Sequence, residues 1–279
     1  MTGAAGNTGA GVLETLTFRG GFNTNTVIVG TTLLGVAAGV VGVFALLRKR
    51  SLVTDALSHA TLPGIALAFL FATALGMEGK SLPVLLAGGA ASGVAGIGCI
   101  QWLMRHTRLR EDAAIGIVLS VFFGAGVVAL SVVQSSAPSG AAGLSKFIYG
   151  QTAAMRRGDA VLMGVVAVAA VLSTVLLLKE FTTVCFNDAF ARVSGWPVSV
   201  IDLLMMGLVV LVTVVGLQAV GLILVVALLI VPPVAARFWS ERVWVIVAVS
   251  GAIGGVSGYL GAVLSSLAPR KPAGAVIVL

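Results

Sequence analysis

Eight apolar runs follow one another between residues 27 and 265, separated by short clusters of charge or by proline and glycine. A run of about 20 apolar residues is long enough to cross the roughly 30 Å hydrocarbon core of a bilayer as a helix, and a helix satisfies its backbone polar groups internally. Spans are expected near 27–47, 51–76, 82–104, 113–134, 160–178, 199–217, 220–236 and 243–265. The run 272–279 is too short to cross and reads as the beginning of a further, truncated helix. With 58% hydrophobic and only 10% charged residues, the chain lacks the charge to cover a water-facing surface of this size. The fold class is therefore all-α, a polytopic membrane protein of about eight transmembrane helices. Residues 1–26 are polar, rich in Gly, Thr and Asn, and lack a charged-then-apolar leader pattern, so they read as an N-terminal segment with no removable signal peptide. The transmembrane domain then runs over 27–279.

The net charge of +7 raises nucleic acid as a partner, but the basic residues are scattered in short loops with no aromatic-interleaved block. No nucleic-acid binding is expected. Topology accounts for the charge better. Arg48, Lys49, Arg50, Arg105, Arg108, Arg110, Lys179, Arg192, Arg237 and Arg242 fall on one side, against Arg19, Lys80, Lys146, Arg156, Arg157, Arg270 and Lys271 on the other. Excess Lys and Arg marks the cytoplasmic side, which leaves the N-terminus outside. Residues 135–158 then form a longer external connection placed to cap the outer mouth.

Many of the 36 glycines lie inside spans at small-xxx-small spacing, such as Gly35 with Gly39 and Gly251 with Gly255. This spacing lets helix backbones approach closely where lipid supplies no hydrophobic drive. Cys99 and Cys185 sit in different segments with no metal-site spacing, and read as small packing residues. Catalysis finds no support. His-Glu-x-x-His is absent, and Gly79-Lys80-Ser81 lacks the upstream glycine of a phosphate-binding loop. No catalytic residue and no bound cofactor is expected. His106 lies among arginines and reads as solvated.

The most informative polar residues are Asp55 and His59, in the stretch Ser51-Leu-Val-Thr-Asp-Ala-Leu-Ser-His-Ala-Thr-Leu-Pro-Gly64. At i and i+4 they share one face of a helix, and Pro63 is expected to break that helix one turn later. Ionisable groups in a span are costly and mark candidate sites. A carboxylate with an imidazole is a mixed O/N donor set suited to Mn, Fe or Zn. In a twofold dimer the pair is repeated across the axis, giving two carboxylates and two imidazoles. A second reading has Asp55 capping a short helix and His59 bonding a backbone carbonyl, with no ion involved. Asp202, Glu111 and Asp112 lie near span starts and read as helix N-terminal charges. Met205 and Met206 read as lipid or core contacts, with a thioether lining the path as the alternative.

Four ordered stretches resemble the permease subunits of bacterial zinc/manganese/iron ABC importers, the ABC-3 family. They are Ser51–Ala66, Arg110-Glu-Asp-Ala-Ala-Ile-Gly116, Phe186-Asn-Asp-Ala-Phe-Ala191 with Gly195, and Val220–Pro233. The third resembles the family's Phe-Asp-Pro-x-Phe-Ala motif, with Asn187 and Asp188 standing in place of Asp-Pro. The resemblance implies a type II ABC importer-like fold in a bacterial cytoplasmic membrane. It implies ATP-binding cassette ATPase subunits on the cytoplasmic face, a second permease copy or related chain, and an extracytoplasmic metal-binding protein. It further implies Mn, Zn or Fe as the transported divalent metal. Phe186, Asn187, Asp188, Phe190, Ala191 and Gly195 are then the ATPase-coupling element, and Lys179 to Pro197 is indeed the most polar internal loop, on the positive side. Three rivals remain: a gradient-driven transporter or channel without an ATPase, a cobalamin or siderophore permease, and a purely structural membrane subunit.

Overall fold

The computed structural model describes residues 22–48, 51–75, 82–136 and 157–267. Residues 1–21, most of the expected external connection, Gly79–Ser81 and the run 272–279 lie outside the described residues. Ten helices are present among the described residues: α1 Phe22–Leu47, α2 Ser51–Ala74, α3 Leu82–His106, α4 Glu111–Ser136, α5 Arg157–Leu176, α6 Leu178–Phe186, α7 Asp188–Val193, α8 Val198–Val220, α9 Leu222–Arg237 and α10 Val243–Leu267. Each of the eight expected spans contains a helix, and α1 begins five residues before the expected position.

Six of these helices are long and apolar enough to cross a membrane, and α5 with α6 makes a seventh if the pair, bent by 66°, counts as one span. At 16 residues α9 is shorter, about 24 Å long. Charges sit where the helix dipoles favour them: Arg105 and His106 in the last turn of α3, Glu111 and Asp112 in the first turn of α4. Between α8 and α9 the chain reverses at Gly221, whose φ of 87° is open to glycine but strained for other residues. The reversal lays Val225 against Gly216.

α1 is the hub. Its span is 72% buried, against 22% for α4, and it touches α10, α5, α9, α8 and α6. Leu34, Ala37, Ala38, Val41 and Phe44 of α1 join Val209 and Val212 of α8 and Leu224, Leu228 and Leu229 of α9 in one core. The Phe44 ring meets Phe181 of α6 edge-on at 5.2 Å. Contact between α1 and α10 is backbone on backbone. A methyl group on Gly35 would overlap the carbonyl oxygen of Gly254, and one on Gly254 would overlap that of Gly35. The Ser250 hydroxyl donates across the same seam to the Gly39 carbonyl at 2.6 Å. Gly42 gives α9 the same close approach, lying on the carbonyl of Leu229. Pro233 denies that carbonyl its usual donor four residues on, so the freed oxygen faces an α1 position with no side chain to block it.

The two ends of the bundle differ. Arg48 at the end of α1 reaches Asp188 and Asp202, and Arg105 of α3 donates to Ser199 of α8 at 2.6 Å. These basic loops therefore share one end, the end that loop charge assigns to the cytoplasm.

Gly35→Ala should force α1 and α10 apart, at a cost of about 1–3 kcal/mol. Gly98→Ala, whose methyl meets open space, serves as the control. Thermal melting of the detergent-solubilised protein by size-exclusion chromatography should show a lowered midpoint for the first and little change for the second. Equal midpoints would mean that the glycine seam does not limit stability.

Candidate functional site

α2 is enclosed by α3, α4, α8 and α9. From Val53 to Ala66 every residue is buried except Asp55 and His59. With a rise of about 1.5 Å per residue, they sit about 6 and 12 Å along the helix from Ser51. His59 Nε2 lies 3.8 Å from Asp55 Oδ1, with side chains 24% and 45% exposed. That separation is too long for a hydrogen bond. It is close to the roughly 3.4 Å between two donors of a tetrahedral ion with bonds of about 2.1 Å. A shift of a few tenths of an ångström would let both reach one cation. The His59 ring stands edge-on to Phe123 of α4, centroids 5.0 Å apart at 80°. Its Nδ1 is buried with no partner among the described residues.

Asp55 is the fifth residue of α2, inside the helix and past its N-terminus, and His59 Nδ1 has no carbonyl partner among the described residues. The expected break at Pro63-Gly64 is corrected: α2 runs unbroken from Ser51 to Ala74 with Pro63 inside it. Pro63 still deprives the His59 carbonyl of its donor, but neighbouring helices carry the helix past this point. The Ser92 hydroxyl of α3 donates to the Ala60 carbonyl at 2.6 Å, Gly88 of α3 lies directly on Gly64, and Gly126 of α4 fits against Leu62 and Pro63. Hydroxyl donors and close neighbours commonly make proline tolerable within spans.

No group of three or more His, Cys, Asp or Glu suited to a metal occurs among the described residues. Asp55 and His59 stand as a pair, on a face that is partly exposed.

The segment 186–195 lies at the basic end. Asn187 caps α7, its side-chain oxygen accepting from the Phe190 N–H at 2.9 Å. Gly195 turns the chain with φ 83°, and the Trp196 N–H returns to the Ala191 carbonyl at 3.0 Å. Ala191 is fully buried, whereas Phe186, Phe190 and Val193 are 67%, 61% and 89% exposed. A short capped helix thus presents apolar side chains outward beyond the spans, while Asp188 bonds Arg48 of its own chain at 2.8 Å.

Other expectations fared variously. Asp202 is drawn into α8 and ion-pairs with Arg48 rather than capping. Met205 and Met206 are 1% and 2% exposed, within the core. Cys185 is half-buried with its sulfur 3.9 Å from that of Met205, whereas Cys99 is exposed, not packed. His106 is exposed and stacks on Trp102. Sequence reasoning missed Phe123, Gln101 and the bridging role of Arg48. No spacing joins Phe123 to His59, and Arg48 registers in sequence only as loop charge.

The sequence profile of the ABC 3 transport family matches residues 23–279. The chain is 43% identical over 257 residues to the manganese transport system membrane protein MntC of Bacillus subtilis, covering 92% of this chain and 58% of that protein. It thus spans little more than half of that relative. It is 44% identical over 253 residues to the zinc transport system membrane protein TroC of Treponema pallidum, covering 91% and 83%. Among solved structures, PsaBC from Streptococcus pneumoniae in complex with Fab superposes with a TM-score of 0.80 at 28% identity, covering 96% of this chain and 91% of the other.

Asn187→Ala should remove the α7 cap at a cost of about 1 kcal/mol. Hydrogen exchange should then quicken at Phe190 and Ala191 while α8 keeps its protection. Unchanged exchange at Phe190 would mean that the cap does not hold α7.

Proposed function

Because this chain belongs to the ABC 3 transport family, we propose that it is the permease of an ATP-driven importer of a divalent transition metal. It works in a bacterial cytoplasmic membrane, its transmembrane domain beginning with α1. Two permease copies, or this chain and a related one, enclose the path. Separate ATPase subunits dock at the basic end, and an extracytoplasmic protein delivers the metal. Manganese and zinc lead as cargo from the names of the relatives, with iron compatible with the same donors.

One observation carries the reading: in an otherwise buried half of α2, the two residues left accessible are a carboxylate and an imidazole side by side. An ordinary lipid-facing stripe would be apolar, because charge against hydrocarbon is costly. Facing a second copy, the stripe becomes half of a four-donor cluster. Phe123 fixes the imidazole ring from one side, leaving Nε2 on the Asp55 side for metal. A cation held there exchanges with protons, so acid weakens binding. The site promotes transport only if the two access states hold the metal differently. The segment 186–195 supplies the contact by which the ATPase biases those states, through the exposed Phe186 and Phe190 and the turn at Gly195.

The test is metal uptake into vesicles by the chain assembled with its ATPase and binding protein, with ATP hydrolysis followed in parallel. Asp55→Ala and His59→Ala, made separately, should each cut uptake at least tenfold, about 1.4 kcal/mol, with assembly and ATPase activity retained. Intact uptake in both variants would remove the pair from the metal path. Uptake by the chain alone, without ATPase, would defeat the importer reading.

A further inference from the structure

We propose that Arg48 is a positioning residue for coupling, one guanidinium that fastens α7 to the ends of α1 and α8. Its Nη1 donates to Asp188 Oδ1 at 2.8 Å and its Nη2 to Asp202 Oδ1 at 2.9 Å. Asp188 is the first residue of α7 and Asp202 the fifth of α8, so three elements meet on one side chain. The Gln101 amide of α3 lies 3.4 Å from the other Asp202 oxygen and brings in a fourth.

Burial gives the junction its strength. The Arg48 side chain is 11% exposed and that of Asp202 9%, while Asp188 is 41% exposed. Exposed ion pairs contribute little, but a buried guanidinium that loses one of two carboxylates leaves an N–H donor without its partner in a poor solvent, even though the other carboxylate still balances its charge. Arg48 Nε is already buried with no partner among the described residues, which raises the cost of losing either bond. The planar guanidinium spans two carboxylates at once, which the single ammonium of lysine does poorly.

α7 has few other anchors. Ala191 is its one buried residue, and Phe190 and Val193 stand exposed. A displacement of α7 therefore pulls on Arg48 before it pulls on packing. From Arg48 the strain enters α1 and α8, and both of these touch α2, which carries Asp55 and His59. The chain of contact runs from the outward-facing short helix to the metal pair through one buried charge. This inference rests on the reading of 186–195 as the ATPase-facing element and adds the residue that connects that element to the spans.

The experiment measures Mn²⁺ taken up per ATP hydrolysed by the full complex of permease, ATPase and binding protein in vesicles. It compares wild type with Asp188→Asn, Asp188→Glu and Arg48→Lys. Asp188→Asn and Arg48→Lys should assemble and hydrolyse ATP yet deliver several-fold less metal per ATP, while Asp188→Glu, which keeps a carboxylate within reach, should restore most of the ratio. Asp188→Asn leaves Arg48 paired with Asp202, and a single size-exclusion peak checks its folding. An unchanged ratio in Asp188→Asn overturns the proposal, because the bond is then idle. Loss of ATPase binding in that variant also overturns it, because Asp188 is then a docking contact. A wild-type complex that hydrolyses ATP without importing metal defeats the importer reading itself, and this proposal with it.

Discussion

Everything in this bundle is arranged around the close approach of backbones along α1. Lipid tails are as apolar as the side chains they surround, so helices in a membrane gain nothing by hiding leucine from them and must associate through packing and polar contact. α1 meets that constraint with glycines at positions 35, 39 and 42, two against α10 and one against α9. The reciprocal overlap at Gly35 and Gly254 allows one register.

Once α1 holds α9 and α10, α8 closes on it and α2 fits beside α8 and α9, backed by α3 and α4. The same economy recurs between α2 and α3, where Gly64 and Gly88 approach backbone to backbone. This packing keeps α2 helical past Pro63 and buries Val53 to Ala66 except for Asp55 and His59. The polar pair is accessible because the other directions around this part of α2 are filled, and it stands at the surface of the chain. At the basic end, the same hub presents Arg48 to two carboxylates. One helix thus organises the spans and also ends in the charge that ties them to the short helix outside.

The sequence conveys the spans well, since a run of about 20 apolar residues has few alternatives in a bilayer. It conveys the Asp55/His59 pair and the 186–195 segment, because each is a local pattern of a few residues. It misled at Pro63, where proline chemistry alone argues for a break and the contacts that carry the helix past it, the Ser92 hydroxyl and the glycines of α3 and α4, come from distant segments. It misled at Asp202 as well, since a carboxylate near a helix start ordinarily serves the helix dipole, and only the neighbouring Arg48 reassigns it. Cys99 has the size and polarity of a packing residue yet stands exposed, because which side of α3 meets the bundle depends on contacts no spacing records.

Residue order by itself determined that this chain is a helical membrane protein, where its helices lie and which of its few ionisable groups share a face, because those follow from local periodicity and from the cost of bare backbone or charge in hydrocarbon. Tertiary structure alone decided which face of α2 stays accessible, that Phe123 seats the imidazole, and that Arg48 joins Asp188 to Asp202. Those are contacts between segments as much as 154 residues apart, and they exist only once glycine-lined helices have settled into a single register.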